Sequence, residues 1–305
     1  MNVGGKHQVA AMCLCVLGQI SWSAHAGEGG GSLYAPGIEG NFAPGGIPPP
    51  GWYGAIYGYS YSANKLRDGS GNEVPNDFKL DANVVVGRLL LVADRQILGG
   101  TLLAQLVLPL ADTQVALDVA PGVRLRDSKF AQSDITVGAG LGYHYGQKAF
   151  GALGLDVFVP TGDYNVNELA NTGRNYWAVA TTYTFDYVDP AGFNFSTRLS
   201  YQLNFENPDT NYKSGQEFMV DYAAGWGLNN GWVLGLGGHI YQQTTLDEQN
   251  GQRLSGSKGR AFAIGPSLKY DSGKGWVVTA KYAPEFGVRN RADGAMFVIK
   301  AVMPL

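Results

Sequence analysis

Cysteine is almost missing from this chain. The only two in 305 residues are Cys13 and Cys15, and both fall within the first 26. The remainder can hold no disulfide and perform no thiol catalysis. Charge is also sparse: 15 % of residues are Asp, Glu, Lys or Arg, the net formal charge is −3, and no basic stripe is present. That excludes nucleic acid as a natural partner. Histidine is scarce too. His144 and His239 are the only two beyond residue 26, and no local ligand spacing accompanies them, so the sequence calls for no metal and no cofactor. Long apolar runs are absent as well, and a membrane-spanning helix needs about 20 apolar residues.

The first 26 residues have the layout of a secretory signal peptide. Lys6 supplies the early positive charge, an apolar stretch runs from Val9 to Ile20, and Ala24-His25-Ala26 is a small-x-small cleavage pattern. Cleavage is expected before Gly27. Residues 27–50 are rich in Gly and Pro and show no strand pattern. They are expected to lie at the periplasmic side, either as a loose tail or folded into a lumen as a plug through Tyr34, Ile38 and Phe42.

What is abundant is alternation. From Trp52 onward the dominant period is two. Phe193, Phe195, Thr197, Leu199, Tyr201, Leu203 and Phe205 share one face, while Asn194, Ser196, Arg198, Ser200, Gln202 and Asn204 share the other. Similar segments run through 217–228, 261–270 and 277–286. One face is apolar and often aromatic at its ends, and the other is small or polar. A chain that crosses a membrane without helices must close its backbone hydrogen bonds between strands. The expected fold is therefore all-β, a transmembrane antiparallel up-and-down β-barrel over 51–305 in the bacterial outer membrane.

Strands are expected near 51–65, 77–92, 97–110, 131–146, 149–160, 174–188, 191–206, 215–228, 231–245, 259–272, 275–288 and 294–305. The connections alternate long and short, as in bacterial barrels with short periplasmic turns. About twelve strands result, with both ends periplasmic. Residues 113–126 read as an outer hairpin extending the third strand. Strict alternation from Phe78 puts Arg88 on the lipid side, at a cost of roughly 2–4 kcal/mol, so a β-bulge turning it inward is expected. At the terminus, Phe297, Ile299, Ala301, Met303 and Leu305 share one face, similar to the C-terminal signal read by the barrel-assembly machinery.

Several motifs resemble the family named for the meta-pathway of phenol degradation, a group of outer-membrane transport proteins. They are Tyr34-Ala35-Pro36-Gly37, Pro48-Pro49-Pro50-Gly51, Pro160-Thr161-Gly162-Asp163-Tyr164, Asn171-Thr172-Gly173 with Trp177, Asn207 with Tyr212-Lys213-Ser214-Gly215, Gln243 with Asp247, and Gly265-Pro266. The resemblance implies uptake of aromatic or other apolar compounds and supplies no catalytic residues.

Alternation also selects the lumen-lining candidates: Asp156, Arg198, Gln202, Glu217, Asp221, His239, Tyr241, Lys281 and Glu285. Lys79 and Asp81 are placed inside by the same register. Inner-face glycines such as Gly142 and Gly225 suggest an interior with space. Partners are expected to be outer-membrane lipid and lipopolysaccharide, the assembly machinery and a small-molecule permeant. The function expected is passive uptake of small hydrophobic or aromatic compounds. One alternative is a lipid-acting enzyme using His239 or His144 with Ser200 or Ser267. Another is a structural or adhesive barrel working through its outer loops.

Overall fold

A computed structural model describes residues 27–43 and 46–305. The signal-peptide reading of residues 1–26 lies outside them. The first strands are β1 (Gly51–Leu66), β2 (Lys79–Ile97), β3 (Gly100–Ala120), β4 (Val123–Gln132), β5 (Ile135–His144) and β6 (Ala149–Val159). Next come β7 (Ala178–Tyr187), β8 (Phe193–Asn204), β9 (Glu206–Asn207), β10 (Tyr212–Lys213), β11 (Glu217–Gly227) and β12 (Trp232–Gln243). The chain ends with β13 (Glu248–Gln249), β14 (Gln252–Arg253), β15 (Arg260–Asp271), β16 (Val277–Arg289) and β17 (Ala292–Pro304).

Twelve strands close an antiparallel barrel in the order β1, β2, β3, β5, β6, β7, β8, β11, β12, β15, β16, β17, with β17 returning to β1. Closure leaves no edge strand in the bilayer, where an unpaired backbone group costs several kcal/mol. β4 stands outside the ring. β3 pairs with β5 only through Val107 and then continues outward against β4, forming a hairpin above the barrel wall. The pairs β9, β10, β13 and β14 build a small four-stranded sheet among the long connections.

The turns follow residue chemistry. Leu98 and Gly99 join β2 to β3 with φ of 52° and 76°, the left-handed pair that matches strand twist in a two-residue hairpin. The polar run Ala93-Asp94-Arg95-Gln96, which resembles a turn in sequence, lies inside β2. A register shift between Val92 and Gln96 absorbs it, and the strand runs on past the bilayer edge into water, where polar residues cost nothing.

The outer surface is apolar. Leu153, Leu155, Leu234, Leu236 and Ile264 project from mid-strand and are 43–51 % exposed. Trp52, Trp226, Trp232 and Trp276 ring the short-turn end, and Trp177, Phe205 and Phe286 lie toward the long-loop end. An apolar band between aromatic girdles is what a lipid bilayer selects. This surface on a closed barrel makes the chain a multi-pass outer-membrane protein.

Arg88 corrects the register of β2. Val84 and Val86 are buried on its inner face, Val85 is 56 % exposed on the outer, and pairing with β1 is continuous from Gly51↔Val92 to Ala63↔Leu80. Arg88 therefore faces inward by plain alternation, without the expected bulge. Phe78 misled the parity because it precedes the strand and is no lipid anchor. The same correction moves Lys79 and Asp81 to the outer face of the extended hairpin, where they pair with each other at 3.3 Å.

The candidate site: an occupied lumen and the cavity beside it

The barrel interior holds residues 27–43. Their backbone is irregular, with a single 3-10 turn at Glu28–Gly30, so wall side chains supply many of the hydrogen bonds it cannot make internally. Asp221 on β11 is the main acceptor. It takes the amides of Gly37 (2.8 Å) and Glu39 (3.2 Å) and the Tyr34 hydroxyl. Lys281 on β16 donates to the Gly37 carbonyl, and Lys269 on β15 donates to the Ala43 carbonyl at 3.0 Å. The Ala43 amide reaches Ser196 Oγ at 2.9 Å.

Charge pairs lock the same segment. Glu39 bridges Arg88 (3.2 Å) and Lys300 (2.6 Å), and Arg88 also donates to the Tyr57 hydroxyl at 3.0 Å. Arg198 lies over the Tyr34 ring at 4.2 Å and pairs with Asp156 at 3.3 Å. Nearer the long loops, Glu217 accepts from Ser32 (2.7 Å), Tyr241 (2.8 Å) and Gln202 (3.0 Å). The Arg291 guanidinium covers the Tyr241 ring at 4.2 Å. Buried charges are tolerable when paired and hydrogen-bonded, as Glu39 is with Arg88 and Lys300 and Arg198 is with Asp156.

Inner-face glycines make room for the segment. A Cβ on Gly225 would stand 2.7 Å from Phe42 Cζ, and one on Gly142 would stand 2.8 Å from Ile47 Cδ1. Phe42 is buried with Ala223 and Val233, and Ile38 with Ala55, Tyr57, Val84 and Val86. Much of the space suggested by glycine content is thus occupied by the chain itself.

All nine lumen candidates point inward, and Tyr34, Ile38 and Phe42 all meet the wall. Asp156, Arg198 and Asp221 converge on Tyr34, Gly37 and Glu39. Gln202, Glu217 and Tyr241 form a second group around Ser32. His239 and Glu285 form a third, Nε2 to Oε1 3.3 Å, with the Tyr61 hydroxyl 2.7 Å from the same carboxylate. Ser200 and Ser267 carry no hydrogen bond to either histidine among the described residues, and His144 sits exposed at the short-turn rim. Glu39, Ser32, Gln105 and Arg291 escaped sequence reading. Glu39 had a signal: with Glu28 it is one of two charged residues in 27–50.

A cavity of about 650 Å³ remains between this segment and the wall of β1, β2, β3, β5 and β6. Tyr57, Tyr59, Val84, Val86, Val107 and Phe158 make much of its surface apolar. Polar groups gather at Arg88, Gln105, Asp156 and Arg198. Arg88 Nε and Gln105 Oε1 are buried there without a hydrogen-bond partner among the described residues.

A twelve-stranded outer-membrane barrel with an occupied interior and a mainly apolar side cavity is the class of protein these features define. Residues 63–301 match the family described as MetA-pathway of phenol degradation, and the chain belongs to it. No curated protein matches the chain. Among solved structures it is similar to the COG4313 outer membrane channel from Pseudomonas putida F1, at 17 % identity and a TM-score of 0.74, covering 89 % of this chain and 100 % of that one. It is also similar to the transport unit of the autotransporter AIDA-I from Escherichia coli, at 13 % identity and a TM-score of 0.50, covering 84 % of this chain and 90 % of that one. At these identities the likeness establishes the fold.

Proposed function

We propose that the protein is a passive channel for small hydrophobic or aromatic compounds, with residues 27–43 as a plug that narrows the lumen. The observation that carries this reading is the cavity of about 650 Å³. Pockets that take small organic ligands are mostly apolar with a few placed polar groups, and this one follows that pattern. Arg88, Gln105, Asp156 and Arg198 put polar groups on its wall, suited to a ligand that carries a hydroxyl on an apolar body. The similar Pseudomonas putida structure is described as an outer membrane channel, which supports the same reading. No energy-coupling sequence is evident, so movement would follow the concentration gradient. Of the nine inward-facing residues named above, Asp156 and Arg198 line the cavity left beside the segment, while Asp221, Glu217 and Lys281 hold the segment itself.

Partners follow from the surface. Phe297, Ile299 and Met303 face outward on β17 and exposed Leu305 follows it, a pattern suited to the barrel-assembly machinery. Lipopolysaccharide would contact the rim below the outer loops. The test is flux in reconstituted vesicles. The processed chain should admit a small aromatic alcohol faster than a sugar of similar mass, and removal of residues 27–43 should raise both rates and the ion conductance. Vesicles no more permeable with either form than without protein would sink the proposal.

A further inference from the structure

At the long-loop end of the lumen, Gly27 of the inserted segment lies against a buried carboxylate. The Gly27 amide nitrogen lies 3.2 Å from Asp247 Oδ2, although 220 residues separate the two in sequence. Asp247 is fully buried. Its carboxylate also accepts from the Gly215 amide (2.6 Å), the Tyr212 hydroxyl (2.6 Å) and Gln243 Nε2 (2.7 Å). All three are neutral donors, and no Lys, Arg or His pairs with Asp247 among the described residues. A buried carboxylate without a cation is costly even when well hydrogen-bonded. In keeping with this, burial pushes the Asp247 carboxyl above its ordinary value.

The sequence identifies the missing cation. Cleavage after Ala26 converts the Gly27 nitrogen from an amide into an α-ammonium, which carries a full charge and three donors below about pH 7.7. We propose that Asp247 is the docking site for the α-ammonium of the processed chain, so that signal-peptide removal creates the group that latches the plug at the outer end. This inference rests on the plug reading given above and adds the latch to it.

Neighbouring contacts enclose the residues at this point. A Cβ on Gly27 would stand 3.0 Å from the Gly31 carbonyl oxygen and 3.4 Å from Ser214 Oγ. The Glu28 amide donates to Ser214 Oγ at 3.0 Å, Arg174 Nη1 donates to the Glu28 carbonyl at 3.1 Å, and Asn207 Nδ2 donates to the Glu28 carboxylate at 2.8 Å. Three outer connections thus close around the first two residues. An unprocessed chain would have to leave through the same contacts, with its nitrogen uncharged.

The experiment is α-amine acylation of the processed, folded protein with a water-soluble succinimidyl ester near neutral pH, read by mass spectrometry of the N-terminal peptide. The peptide should begin at Gly27. Its amine should react at least about tenfold more slowly in the folded barrel than in denaturant. Asp247→Asn should abolish most of that protection. A second variant, with Gly-Ser inserted between Ala26 and Gly27, leaves the barrel unchanged and should show both a reactive amine and faster protease clipping of the segment. A mature chain that starts elsewhere overturns the proposal. So does wild-type reactivity equal to the denatured rate, or full protection retained in Asp247→Asn. Channel flux measured on the same samples separates the two readings, since a free amine on a conducting barrel removes the latch and leaves the channel.

Discussion

Arg198 holds its guanidinium 4.2 Å above the Tyr34 ring while donating to Asp156 across the lumen. One side chain thereby joins the inserted segment to two strands of the wall. Tyr34 is bound at its other end as well, since its hydroxyl donates to Asp221. Tyr34→Phe removes only the second link and Tyr34→Ala removes both. A desolvated cation–π contact is worth about 2 kcal/mol, and an unsatisfied buried acceptor costs about 1–3 kcal/mol. Protease clipping within 27–43 should rise modestly in the first variant and strongly in the second, with the barrel itself still folded by gel mobility.

Asp221 gathers two backbone amides and a hydroxyl from the segment. Asp221→Ala strands all three donors and leaves Arg198 less well balanced. The expected outcome is a larger release than Tyr34→Phe produces, seen as higher single-channel conductance. Asp221→Asn keeps the shape but cannot accept from every donor, so it should fall between.

Ala111 sits in the cavity wall beside Val84 and Val86. Ala111→Trp would fill that space without touching the ion pairs around Glu39. Aromatic flux should drop strongly, and clipping of the segment should change far less than in Tyr34→Ala, since Ile38 is the one segment residue buried in the same cluster. Unchanged flux would move the permeation path away from this cavity.

Leu236 faces lipid at mid-strand, opposite Pro266 and Ala224. Leu236→Arg should cost about 2–4 kcal/mol of membrane stability in equilibrium refolding. The adjacent inner-face position, Gly237, lies against the Gly40 carbonyl, so a substitution there should disturb the segment and not insertion.

The pH dependence of the outer cap follows from Asp247. Burial raises its carboxyl in the closed state. A raised carboxyl stabilises closure below its open-state value of about 4, and that contribution is lost as pH rises through the closed-state value. A chain extended ahead of Gly27 should therefore lose protection of the Gly215 amide as pH rises above about 4. The processed chain should lose less, because the α-ammonium offsets the developing charge. Hydrogen exchange corrected for its intrinsic pH dependence would show the difference.

The barrel was readable because strand parity is a local property. Phe193 to Phe205 separates its two faces with no reference to any other strand, and Glu217, Asp221, His239, Tyr241, Lys281 and Glu285 took their inward places from the same rule. Parity failed only where its anchor was poor, at Phe78 ahead of β2, and it carried Lys79, Asp81 and Arg88 with it. Specific partners were beyond reach for a different reason. Tyr34 meets Asp221 and Glu39 meets Lys300 across 187 and 261 residues, and no periodicity encodes such pairings. Gly225 and Gly142 were visible as small inner residues, but whether they opened the lumen or admitted Phe42 and Ile47 depended on where the irregular segment ran.

The position of Gly27 also constrains the order of assembly. The segment extends from the end where Gly51 begins β1 to the long connections beyond β12, so it traverses the ring lengthwise. Once β17 has zipped onto β1 and the outer connections have folded over, only an end-on route through a crowded bore is left. The simplest sequence of events encloses the segment as a core around which the last strands wrap. Contacts between Glu39 and Lys300 join the first and last parts of the chain, and such distant pairings are slow to form. Pairing of β17 with β1 is what brings Lys300 to Glu39, so the seam of the barrel and the grip on the inserted residues are completed together.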